Sequence, residues 1–213
     1  MRPITIIISI LLPALTAAAP TTSLEPRQSL PPNERIRITS VTGAGTGCPS
    51  GTWSSQISQD GTSVTLGFDQ FEAFLNPASD RDLSCTLILA ASYPTGCVAS
   101  TVVATSHGFA EFPGGNTGTV EASYGTSPGR LTTGGGLTRA VLSGGVWAGG
   151  QPWLRTDNVG SAVNAGSGGR TVLFFVNTRA YFAAPAGSSV FGSLRMDDLS
   201  VSFTNQRRVT GQC

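Results

Sequence analysis

From residue 35 onward, apolar residues recur mostly in steps of two, the period of a strand with one buried face. Ile36 and Ile38 open the pattern, followed less regularly by Val41. Residues 52–58 and 62–68 flank Gln59-Asp60-Gly61, an Asp-Gly turn between two short runs, and Val64, Leu66 and Phe68 alternate in the second run. Residues 83–92 and 98–105 flank Tyr93-Pro94-Thr95-Gly96. Proline second and glycine last fit a tight turn, so these two runs are expected to form a hairpin. Residues 117–124, 137–147, 171–182 and 190–203 supply further strands, punctuated by Gly134-Gly135-Gly136, Gly144-Gly145 and Gly149-Gly150. Many short strands with Gly- and Pro-rich turns predict an all-β, single-domain antiparallel β-sandwich.

Two irregularities refine this picture. Phe68, Phe71, Phe74 and Leu75 have a helix-like spacing, but the run is short and uncapped, and it reads as a strand with a bulge or at most one turn. In the last run Val190, Leu194 and Met196 occupy even positions, whereas Leu199, Val201 and Phe203 occupy odd ones. The buried face would flip at Asp197-Asp198, and a bulge there restores one continuous apolar face. Adjacent aspartates on a strand point to opposite faces, so they are not read as a cation site.

The N-terminus follows a different rule. Arg2 precedes an apolar stretch over residues 4–15, and Ala17-Ala18-Ala19 offers small residues for cleavage. Residues 1–19 are therefore expected to be a secretory signal peptide, too short to span a bilayer. Residues 20–34 are polar and contain Pro26, Pro31 and Pro32, as a pro-segment or flexible linker would. The domain is placed at 35–213. Secretion gives meaning to Cys48, Cys85, Cys97 and Cys213, four cysteines that meet an oxidising compartment outside the cell or at the cell wall.

Charge is scarce. The chain has 13 basic residues, all arginine, and 12 acidic ones, a formal net charge of +1. Loss of Arg2 with the signal brings this to about zero, so no electrostatic steering toward nucleic acid is built in. No second apolar run is long enough for a membrane span. No Asn-x-Ser/Thr sequon occurs, because Asn76 precedes Pro77 and the other asparagines lack the hydroxyl residue.

Several segments resemble, in order, a family of secreted and mostly fungal proteins described as DUF4360. Gly45-Thr46-Gly47-Cys48-Pro49-Ser50-Gly51-Thr52 is similar to its opening. Phe68-Asp69-Gln70-Phe71-Glu72-Ala73 resembles its FDxFxA stretch, and Ser79 to Cys85 its polar loop into a second cysteine. Tyr93-Pro94-Thr95-Gly96 resembles its YPxG turn, Val176-Asn177-Thr178-Arg179 its INTR strand, and Cys213 its closing cysteine. The resemblance covers about residues 40–213. It implies secretion and a β-rich fold, and it brings no catalytic residue. The third cysteine of the pattern, expected near Pro152-Trp153-Leu154-Arg155, is missing, and Cys97 stands after the turn instead.

Four cysteines allow three pairings. In the expected hairpin Cys97 lies opposite Ser92, and Cys85 lies seven residues further along, roughly 20 Å at ~3.3 Å each. That exceeds the reach of a disulfide, so Cys85–Cys97 is disfavoured. Cys48–Cys85 with Cys97–Cys213 and Cys48–Cys97 with Cys85–Cys213 stay open; the resemblance favours the first set, and either gives a sandwich stabilised by two disulfides.

Candidate chemistry is sparse. No C-x-x-C or cysteine–histidine cluster suits a metal or redox site, and no metal or cofactor is expected. His107 is the single histidine and stands beside no nucleophile motif, so no catalytic residue is assigned. Asp80-Arg81-Asp82 lacks a calcium-loop pattern. Trp147 and Trp153 bracket a glycine-rich stretch that suits a ligand-binding aromatic platform, with Trp53, Tyr124 and Tyr181 as further rings. The reading is a secreted, non-enzymatic protein that binds cell-wall polysaccharide or an extracellular protein, with no role for nucleic acid. The alternative is a hydrolase whose paired carboxylates come from Asp69, Glu72, Glu111 and Glu121.

Overall fold

The computed structural model describes residues 30–75, 82–127, 136–165, 167–183 and 190–209. Their strands, numbered along the chain, form two antiparallel sheets. The first sheet has the order β1 (Arg37–Ala44), β5 (Asp82–Tyr93), β10 (Arg170–Ala183), β7 (Thr117–Ser127) and β8 (Thr138–Ser143). The second runs β2 (Trp53–Ile57), β3 (Ser63–Phe68), β11 (Ser193–Arg208), β6 (Cys97–Glu111) and β9 (Gln151–Asn164), and the short β4 (Glu72–Phe74) also pairs with β11.

The expected alternation builds the core. On β5, Leu83, Cys85, Leu87, Leu89, Ala91 and Tyr93 are buried, and on β10 Val172, Phe174, Val176, Ala180 and Phe182 are buried with Thr178. These inner faces meet those of β6 and β11. Phe174 of the first sheet and Phe203 of the second stand edge to face at 5.8 Å, and Tyr93 meets Phe203 at 6.3 Å.

Most expected elements are present. β2 and β3 form the hairpin about Asp60-Gly61, with Gly61 at φ +72° as the turn requires. The register of β11 against β6 slips between Met196 and Asp198, which is the bulge expected from the parity change. The helix-like spacing at 68–75 resolves into the end of β3, a bend and β4.

Three expectations need correction. Tyr93-Pro94-Thr95-Gly96 is no hairpin turn: β5 and β6 lie in different sheets, so the turn arches between them. Ser92 pairs with Arg37 and Thr171, and Cys97 with Asn164, which removes the register used to separate Cys85 from Cys97. The run at 137–147 is strand only to Ser143, and Trp147 sits in the 3-10 turn Gly145–Gly149. Finally, β9, 14 residues long, falls where no strand was expected.

Cys48 and Cys85 form a disulfide that ties the loop after β1 to β5. The expected partner bridge, Cys97–Cys213, ends on a residue outside the described ones, and Cys97 is not a free thiol. Residues 1–29, with the expected signal peptide and most of the linker, also lie outside them. The last linker residues belong to the folded body: Leu30 is buried, and Glu34 pairs with Arg208 at 3.0 Å.

Candidate functional site

β4 and β6 flank β11 near its start. Ser193 pairs with Phe74 on one side and Glu111 on the other, and Arg195 pairs with Glu72 and Phe109. Their neighbours Ala73, Leu194 and Ala110 are fully buried, so alternation assigns this set to the outer face. An open cleft of about 300 Å³ lies there, lined by Glu72, Phe74, Glu111, Phe191, Gly192 and Ser193. Phe74 is 41% exposed and Phe191 73%. Gly192 makes the close approach: a Cβ there would lie 2.6 Å from the Cβ of Phe112 and 2.8 Å from the carbonyl of Glu111. Its own carbonyl accepts the N–H of Leu75 at 2.8 Å.

The electrostatics of the cleft are unusual for this chain. Glu34, Asp60, Asp82, Glu121, Asp157, Asp197 and Asp198 all accept hydrogen bonds or ion pairs. Among the described residues Glu72 and Glu111 have no such partner, and Asp69 is the third carboxylate without one. The nearby cation is engaged elsewhere: Nε of Arg195 lies 2.5 Å from Asp197, and its guanidinium sits 6.0 Å from the centre of the Phe109 ring.

The two tryptophans singled out in the sequence flank this end differently. Trp147 is half-buried and stacks on Phe112, 6.1 Å between ring centres, directly after Glu111 in the chain. Trp153 is buried on β9, its indole N–H donating to the carbonyl of Arg195 at 3.1 Å. Gly108 makes room for that indole, since a Cβ there would come within 2.4 Å of it. Trp53 packs against the core edge near Gly43.

The remaining candidates lie elsewhere. Glu121 is on β7, where Arg139 (2.9 Å), the hydroxyl of Tyr181 (2.9 Å) and Arg179 (3.7 Å) surround it. Asp82 is paired with Arg179, while Asp80 and Arg81 lie outside the described residues. His107 lies on the outer face of the second sheet with Nδ1 2.6 Å from Asp198. The bulge after Met196 creates that contact, and no hydroxyl bonds to the imidazole among the described residues.

One buried cluster has no counterpart in the sequence reading. Arg155 and Asp157 point inward from β9, their side chains 8% and 12% exposed, with Nη2 and Oδ2 2.5 Å apart. Tyr124 donates to Asp157 at 2.5 Å, Thr138 donates at 3.0 Å, and Arg155 reaches the carbonyl of Val120 at 3.1 Å. Burial, and then the adjacent carboxylate, push the Tyr124 phenol up from its ordinary value. The group joins the two sheets at their open edge. Apolar alternation does not mark this stretch of the sequence, because Arg155 and Asp157 take inward positions between Trp153 and Val159.

No group of three or more His, Cys, Asp or Glu among the described residues is arranged to hold a metal ion. No helix among them is long and apolar enough to cross a membrane.

The sequence model of a family described as a domain of unknown function, DUF4360, matches residues 34–213. An Arthroderma benhamiae protein described as "Uncharacterized secreted protein" is 34% identical over 119 residues, 50% of this chain and 49% of that one, so the chain spans about half the length of this relative. The protein is secreted, as this relative is described to be, and the Cys48–Cys85 bridge suits the oxidising setting of a secreted chain. The solved structure of TmCBM61 in complex with beta-1,4-galactotriose matches at 10% identity with a TM-score of 0.26, covering 78% of this chain and 90% of that one, too remote to inform fold or ligand.

Proposed function

The chain belongs to the DUF4360 family, and on that premise we propose that it is a secreted, non-enzymatic domain that binds a glycan in the cleft between β4, β11 and β6. The observation that carries this reading is the pair of exposed rings, Phe74 and Phe191, beside two carboxylates that have no partner among the described residues. Exposed rings offer flat apolar faces to the C–H faces of a sugar, and ionised carboxylates accept its hydroxyl protons. A cleft with apolar walls and a few polar groups is the usual form of such a site. Trp147 does not line this cleft: it stacks on Phe112, a buried ring that packs against Phe182, while Trp153 anchors β9 to β11 beneath the sheet.

The paired glutamates also support a second reading, a hydrolase. Two strand spacings and one two-residue step put the backbones of Glu72 and Glu111 about 12 Å apart, a separation from which two glutamate side chains can converge or diverge by several ångström. Hydrolases of this type set two carboxyls about 5–10 Å apart around one bond. Glu111 is exposed, and the cleft does not enclose a bond to be broken. Binding is therefore preferred.

Retention on insoluble wall polysaccharides, with released sugars assayed in the same tubes, tests both. F74A/F191A should weaken retention about 30-fold, each ring being worth on the order of 1 kcal/mol. Unchanged retention in that variant removes the cleft from consideration. Released sugars that disappear in E111Q would establish the hydrolase.

The proposal includes a second bridge, Cys97–Cys213, which would fasten the end of β11 to β6. Non-reducing peptide mapping of secreted material tests it, and a Cys97-containing peptide joined to any other cysteine overturns it.

A further inference from the structure

The cleft's charge pattern says more about its ligand than its shape does. Ten carboxylates lie among the described residues, and seven of them are held by arginine, histidine or hydroxyl partners within the fold. Two of the three that are not, Glu72 and Glu111, line the same cleft. Arg195 of β11 stands in register with Glu72 of β4 and Phe109 of β6, yet its guanidinium is held by Asp197 and lies over Phe109 rather than on either glutamate. The fold therefore leaves two negative charges open in the place where it also exposes Phe74 and Phe191.

We infer that the cleft selects a cationic glycan, a polymer of hexosamine units with free, protonated amines. This deepens the glycan-binding reading and rests on it. The carboxylates supply the charge complement of an ammonium group, and the ring faces add cation–π attraction to the same group. The spacing of the acids argues for charges repeated along a chain. With backbones about 12 Å apart on strands on either side of β11, and with no contact between them, they suit amines on separate units better than a single cation, which would call for convergent acids. Ser193, in register between Phe74 and Glu111, adds a hydroxyl for the neutral groups of the sugar. Neutral glycans can use the rings and offer hydroxyls to the carboxylates, but they leave both carboxylates without a counter-charge.

Calorimetric titration of the secreted protein with four probes decides the matter: a glucosamine hexamer, its fully N-acetylated counterpart, a neutral β-glucan hexamer and a deca-arginine peptide. The glucosamine hexamer should bind about 10-fold tighter than the N-acetylated one, with a preference that shrinks as salt rises. E72Q/E111Q should abolish the preference, weakening the glucosamine hexamer far more than the neutral hexamers, whose hydroxyls the glutamine amide oxygens can still accept. Both glutamates lie on the outer face, and far-UV circular dichroism verifies that the variant is folded. Equal affinity for the amine and N-acetyl forms overturns the inference, as does a preference that survives E72Q/E111Q. If neutral hexamers still bind and F74A/F191A weakens them, the glycan-binding reading stands without it. Failure of every glycan to depend on Phe74 and Phe191 overturns both. Deca-arginine binding tighter than the glucosamine hexamer overturns the inference in favour of a basic peptide.

Discussion

Two arginine–aspartate pairs in this molecule have the same contact distance and opposite surroundings. On the outer face of the first sheet, Nη2 of Arg179 on β10 lies 2.5 Å from Asp82 on β5, and both side chains are about half exposed. Between the sheets, Nη2 of Arg155 on β9 lies 2.5 Å from Asp157 on the same strand, and both side chains are nearly covered. Water screens the first pair and can replace either partner. It cannot reach the second, so each charge there depends on the other and on Tyr124, Thr138 and the carbonyl of Val120. The chemical pair is the same, and its surroundings determine what it is worth.

The largest effect is accordingly expected at Asp157. Asp157→Ala leaves the Arg155 guanidinium buried without its counter-charge and should lower the unfolding free energy by about 3–5 kcal/mol in urea denaturation. A loss below about 1 kcal/mol would erase the distinction between the pairs. R155M/D157L removes both charges and should recover most of that loss. β9 is a long edge strand, and inward charges on an edge discourage pairing with another chain. The double variant should therefore self-associate more than wild type, as size-exclusion chromatography at rising concentration would reveal.

The same contrast explains what the sequence discloses. β10 and β9 have equal lengths, 14 residues each. The inward residues of β10 include Val172, Phe174, Val176 and Phe182, and the strand is plain from its alternation. Those of β9 are Trp153, Arg155, Asp157, Val159, Ser161 and Val163, half of them polar, and the alternation that marks a strand is lost. The bulge at Asp197-Asp198 was legible because parity along one strand is a local property. Its consequence, Asp198 beside His107, was not, because it depends on which strand lies next to β11. The Tyr93-Pro94-Thr95-Gly96 turn failed for a related reason: turn chemistry is the same whether the chain returns within a sheet or crosses to the other one. The candidate cleft was half visible. Glu72 and Glu111 stand among the candidate acids, but their meeting with Phe74 and Phe191 follows from strand register across residues about 80 to 120 apart in sequence.

A smaller effect is expected from the phenol that supports the buried pair. Tyr124→Phe keeps the ring against Phe174, whose centre lies 6.3 Å away, and removes one donor to Asp157. The cost should be about 1–2 kcal/mol, since Thr138 and Arg155 still serve the carboxylate. A neutral result would mean that the phenol contributes packing alone, and a loss as large as that of Asp157→Ala would make it an equal member of the ionic cluster.

The exposed pair gives the smallest effect and one that depends on pH. Arg179 holds the Asp82 carboxyl below its ordinary value, with burial opposing. A carboxyl whose folded pKa is depressed binds its proton less readily in the native state than in the unfolded chain. Its stabilisation is therefore complete above the unfolded value, about 4 for aspartate, and is lost as pH falls through the lower folded value. Because both side chains are about half exposed, the whole contribution should be under about 1 kcal/mol. Asp82→Asn should thus cost little at pH 7, and the gap between variant and wild type should stay constant down to about pH 5 and close below about pH 4. Raising salt to about 1 M should narrow the gap at pH 7, because screening reaches an exposed pair and spares a buried one. A gap that persists at pH 2, or that ignores salt, would show that Asp82 acts through packing, and the contrast with Asp157 would then rest on burial of side-chain volume rather than of charge.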